Sequence, residues 1–70
     1  MNQPTAQKLA EIASQFSPIA KEQVTAEFVG GSLYIFGSEI ACLRLSIHYR
    51  HHPKARAEYS ENLKTWFFTF

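Results

Sequence analysis

Apolar residues recur at helical period near the start of the chain. Leu9, Ile12, Ala13 and Phe16 stand at i, i+3, i+4 and i+7, while Gln7, Lys8, Glu11 and Gln15 fall off that stripe. The spacing predicts an amphipathic helix laid on a core. Thr5 is placed to cap it, and Ser17-Pro18 is expected to interrupt or end it, or to cap one further turn with Pro18 at its first position. Residues 24–29 and 32–36 are instead rich in β-branched and aromatic side chains, with Gly30-Gly31 between them. Two adjacent glycines supply the positive φ angles of a tight hairpin turn. In that hairpin Val24, Ala26 and Phe28 share one face, and Thr25, Glu27 and Val29 take the other.

The stretch 38–52 carries two patterns at once. Leu43, Leu45, Ile47 and Tyr49 alternate with Arg44, Ser46, His48 and Arg50, as in a strand. The end signals point the other way. Ser38 is a good N-cap, Glu39 suits a first helical turn, and Arg50-His51-His52 before Pro53 suits a last one. These signals, with the helix-forming Ala41, Leu43, Arg44 and Leu45, favour a helix. On that helix Arg44, His48 and His51 form one polar ridge, and the remaining surface is expected to be largely buried. Residues 55–60 and 64–70, joined by the turn-like Glu61-Asn62, read as a second hairpin. Its last strand is nearly free of charge, so it belongs inside a sheet or at a subunit contact. The expected fold is α+β, a single domain in the order α-β-β-α-β-β, with two helices packed on a four-stranded antiparallel sheet made of two hairpins. Leu9, Ile12, Phe16, Phe28, Ile35, Leu45, Ile47, Trp66 and Phe68 are its expected core.

Composition narrows the class. With 70 residues, 46% hydrophobic and 19% charged, the chain is too apolar for a disordered tail and allows only one core. No apolar run approaches the ~20 residues of a membrane span, and Met1-Asn2-Gln3-Pro4 lacks the basic start and apolar stretch of a secretory signal. Cys42 is the only cysteine, which excludes an internal disulfide and a Cys-rich zinc site and suits a reducing cytoplasm. A core this small supplies little net stability, so self-association into a homodimer or a partner-bound state would help.

Charge changes the picture further. Arg44, Arg50, Lys54 and Arg56, with His48, His51 and His52, lie between positions 40 and 57, a window with no acid. Its formal charge is +4, whereas the rest of the chain sets three Lys against six Glu. The net +1 therefore conceals a molecule with a basic side. Arg44, His48, Tyr49, Arg50, His51, Lys54, Arg56 and Tyr59 are the expected partner-binding residues. Cations with neighbouring tyrosines suit an acidic protein or nucleoprotein surface, where Arg and Tyr are common anchors. They also suit nucleic acid, phosphates being gripped while a ring stacks on a base.

Catalytic constellations are weak. His48 and His52 at i, i+4 have a metal-binding spacing on a helix, but Arg50 and Lys54 beside them repel a cation. A Ser–His–Asp triad is excluded because the chain has no Asp. Cys42 lies in an apolar stretch that favours an unactivated thiol. The remaining enzymatic alternative is metal-independent RNA cleavage, with His48 or His51 as base and Arg44 or Arg50 stabilising charge. The expectation is a binder without catalytic turnover, cofactor or metal.

In size and style, a very short α+β chain with no catalytic constellation, the protein resembles the small inhibitor proteins of phages and mobile elements of the anti-CRISPR type. The resemblance implies an inhibitor acting in the bacterial cytoplasm. Many of those proteins imitate nucleic acid with an acidic surface; this chain departs from them in carrying a basic window. Docking on an acidic patch, or on bound nucleic acid, is then the expected mode.

Overall fold

The computed structural model describes residues 5–70, so the reading of Met1 to Pro4 as lacking a secretory signal lies outside the described residues. Two helices and four strands follow in the expected order: α1 (Ala6–Ala20), β1 (Thr25–Val29), β2 (Ser32–Gly37), α2 (Glu39–His48), β3 (Arg56–Ser60) and β4 (Thr65–Thr69). Both helices start where the sequence places a cap. The Thr5 hydroxyl accepts from the Lys8 amide at 3.2 Å, and the Ser38 hydroxyl accepts from the Ala41 amide at 3.1 Å. Ser38 also donates to Glu22 at 2.7 Å, tying the start of α2 to the segment after α1. These bonds satisfy amide groups that a helix start leaves unpaired.

The sheet is antiparallel throughout, in the order β1-β2-β4-β3. Gly30 and Gly31 adopt φ of 58° and 84°, and their turn sets Val29 opposite Ser32. Charge-poor β4 sits inside the sheet between β2 and β3, which gives its backbone partners on both sides. Ala26, Ile35, Phe68 and Ala57 form one cross-strand row facing the helices. Ile35, Phe68, Ala20, Ala41, Cys42 and Leu45 are fully enclosed between the layers.

Four expectations need correction. Ser17-Pro18 neither ends the first helix nor caps a separate turn: the further turn is made, but as part of one unbroken helix that runs to Ala20, with Lys21 closing it at φ 60°. Pro18 and Ser14 are both exposed, so the carbonyl that the proline leaves unpaired faces water. Continuing the helix lets the last turn bury Ala20. The second helix ends at His48 rather than His52, the chain then turning through bonds from His52 N–H to the Tyr49 carbonyl and from Ala55 N–H to the His52 carbonyl. Phe28 is 44% exposed, because it stands beside the turn on the edge strand β1, which has no neighbouring strand on its outer side. Ile47 is 60% exposed: it lies on the side of α2 opposite Cys42 and Leu45, which face the sheet.

Candidate functional site

Only part of the basic window forms one surface. Arg44 and His48 are four residues apart on α2 and share its outer flank, and Arg50 follows in the first turn after it. They surround a depression of about 340 Å³ whose lining is Ile19, Lys21, Arg44, Ile47, His48 and Arg50. Three permanent cations and an imidazole therefore ring two isoleucines, with no carboxylate in the lining. Among the described residues the one ion pair is Arg56 with Glu58, at 3.1 Å, so these cations lack acidic partners.

Arg44 has a second task. Its guanidinium donates to the Ala20 carbonyl at 3.0 Å and so caps the C-terminus of α1 from α2. A cation there also complements the negative end of the helix dipole. Lys21 enters the same depression because it is the left-handed closing residue of α1. Composition gives no sign of this, since Lys21 lies far from the basic window in the chain. The separation closes only when α1 and α2 pack together.

The outer face of α2 extends the apolar part of the site. Ile40, Leu43 and Ile47 are 57%, 41% and 60% exposed and fall at i, i+3 and i+7. This stripe corrects the expectation of a largely buried helix with only a polar edge. Three branched aliphatic side chains aligned on one exposed helix face form a contiguous patch rather than scattered apolar residues.

The other expected site residues go elsewhere. Tyr49 is half-buried, with ring-centroid distances of 5.6 Å to Phe68, 5.4 Å to Phe70 and 6.0 Å to Phe16. It belongs to the packing beneath the surface. His51 is exposed in the turn after α2, off the helix, which undoes the expected ridge of Arg44, His48 and His51. His52 lies past the helix end, its ring 4.8 Å from Phe70 and its Nδ1 accepting from the Lys54 amide. His48 and His52 thus lose the helical i, i+4 relation a shared metal would need. Among the described residues no three His, Cys, Asp or Glu side chains are grouped to hold a metal ion.

Lys54 and Arg56 are carried across to the sheet. They line a separate cleft of about 380 Å³ with Ser32, Tyr34, Thr69 and Phe70 among others. Tyr59 sits further along β3, 6.0 Å from Trp66. Cys42 is fully enclosed, and that burial pushes its thiol from 9.0 up to about 11; a backbone hydrogen bond with Gly37 opposes the shift and the Glu22 charge adds to it. The thiolate is scarce at neutral pH. No described helix is long and apolar enough to cross a membrane.

No family model, no curated protein and no solved structure matches the chain.

Proposed function

We propose that the protein is a non-catalytic binding protein that docks through the outer face of α2 and the end of α1 onto an acidic, partly apolar protein surface. The observation that carries this reading is the depression lined by Ile19, Ile47, Lys21, Arg44, His48 and Arg50, continuous along α2 with Leu43 and Ile40. Exposed aliphatic side chains gain from burial against apolar partner groups, at about 25 cal/mol per Å². The cations around them select partners that carry carboxylates and repel basic ones. An apolar centre inside a charged rim is the usual anatomy of a protein interface.

The same arrangement weighs against a duplex-binding module. A duplex grip draws on many phosphate contacts, yet this depression has only three permanent cations and its centre is aliphatic. Lys54 and Arg56, which would add to the count, belong to the other cleft. The functional class that fits is an inhibitor of a bacterial protein or nucleoprotein complex, as the likeness in size to anti-CRISPR-type proteins implies. Contact with nucleic acid inside such a complex is secondary to contact with its protein.

Affinity capture from bacterial lysate, with and without nuclease, tests the reading. The expected result is a nuclease-resistant protein complex lost in Ile47→Lys and Arg50→Glu, both exposed positions, with circular dichroism checking that each variant folds. Recovery of nucleic acid alone, or a partner indifferent to both variants, overturns it.

A further inference from the structure

The face of the sheet turned away from the helices carries a second surface. Antiparallel pairing places Thr25, Phe36, Phe67 and Glu58 in one row of that face, and Glu27, Tyr34, Thr69 and Arg56 in the next. The edge strands obey the rule for a sheet with one wet face, turning Thr25, Glu27, Arg56 and Glu58 outward. The central strands do not. β2 and β4 turn the rings of Tyr34, Phe36 and Phe67 outward beside Thr65 and Thr69, with Tyr34 5.0 Å from Phe67 and 6.3 Å from Phe36. Three clustered rings on the outer face of central strands suit a sheet that is covered on that side as well. The helices supply one layer.

We propose that a second copy of this chain supplies the other, through an isologous face-to-face dimer of sheets. The face is self-complementary. Glu27 stands at the β1 edge and Arg56 at the β3 edge of one row, with Tyr34 and Thr69 between them. A two-fold axis parallel to the strands, passing between β2 and β4, lays β1 of one copy over β3 of the other. Glu27 then meets Arg56 twice, Phe36 meets Phe67 twice, and Glu58 meets the Thr25 hydroxyl. No like charges face each other. Arg56 already pairs its Nε–H with the Glu58 carboxylate, which leaves its terminal nitrogens to donate across the interface.

Charge complementarity favours this occupant, and area sets its strength. Four strands at ~4.8 Å spacing and five residues at ~3.4 Å rise give a footprint of roughly 19 by 17 Å. Two such faces have a combined footprint of roughly 650 Å², the size of a weak interface rather than a standard one, so association belongs in the micromolar-to-millimolar range. Single-stranded nucleic acid, the other ligand that stacks on aromatic platforms, finds no net positive field here: Glu27 and Glu58 offset Arg56 and the Lys54 that lines the same cleft.

Equilibrium sedimentation of the full chain, from micromolar to millimolar concentration, tests the proposal. The expected species has twice the 8.0 kDa chain mass. Glu27→Arg and Arg56→Glu alter exposed rim residues, and each repeats twice in the dimer; each weakens association by about tenfold or more. The double swap Glu27→Arg with Arg56→Glu recovers most of the lost association, because the pair is remade with its charges exchanged; the remaining deficit reflects the Arg56–Glu58 pair that the swap removes. Circular dichroism confirms that each variant folds. A monomer throughout that range, a dimer indifferent to Glu27→Arg, or a monomer that binds oligothymidine in a Phe67-dependent manner overturns the proposal.

Discussion

Arg44 lies in the candidate docking surface and also holds the fold together, and the two roles need different probes. Its bond to the Ala20 carbonyl joins α2 to the end of α1. Arg44→Ala is expected to cost about 1–2 kcal/mol, read as a lower urea midpoint, because the partly buried carbonyl loses a charged donor. Arg50 makes only a 3.4 Å bond to the Ile47 carbonyl, so Arg50→Glu should reduce partner binding while leaving the urea midpoint nearly unchanged. Cys42 allows a sharper forecast. Its folded pKa of about 11 lies above the ordinary 9.0, so the protonated thiol is favoured by folding. That contribution is complete below pH 9 and is lost as pH rises through 11. Denaturant titrations should therefore show stability falling across that window by on the order of 3 kcal/mol, at about 1.4 kcal/mol per pK unit. In Cys42→Ala the thiol's share of this fall should disappear, so the parent and variant curves converge across that window. At neutral pH, alkylation of Cys42 should require unfolding.

Among the elements, the junction between β2 and α2 is the most tightly determined. A Cβ at Gly37 would meet the Val24 Cγ1 at 3.0 Å and the Ala41 Cβ at 3.3 Å, whereas Gly30 has open space around it. Gly37→Ala should lower stability by about 1–3 kcal/mol through overpacking. Gly30→Ala should cost about 1 kcal/mol from its φ of 58° alone. Thermal unfolding of the two variants distinguishes a packing constraint from a backbone one. The element order was legible because its signals are local: the Thr5 and Ser38 caps, the Gly30-Gly31 turn and the aromatic run of β4. The ambiguity at 38–52 arose because an apolar residue at nearly every second position also covers most of a helix surface. End signals decided that case. Which side of α2 faces the sheet is a tertiary fact, and so Ile47 was expected inside and stands outside. The basic window divided for the same reason: the turns after Tyr49 carry Lys54 and Arg56 to the sheet, and the packing of α1 brings Lys21 to Arg44.

At the scale of the whole molecule, the helix layer and the open sheet face point in opposite directions. A domain of 70 residues gains stability by covering an aromatic face, and the proposed dimer does so without touching α2. Its two α2 surfaces would then look outward on opposite sides, each able to hold one partner. Binding in solution should follow one partner per chain, with a site affinity that Glu27→Arg leaves unchanged, since Glu27 is outside the Ile19–Ile47 depression. On a surface densely coated with partner, the parent should dissociate more slowly than the Glu27→Arg monomer, because the second site rebinds before the first is lost. Ile47→Lys should weaken both measurements while sedimenting as the parent dimer. Comparing dissociation at high and low partner density separates the two surfaces. Equal off-rates for parent and Glu27→Arg at high density would mean that the sheet face contributes no second binding site.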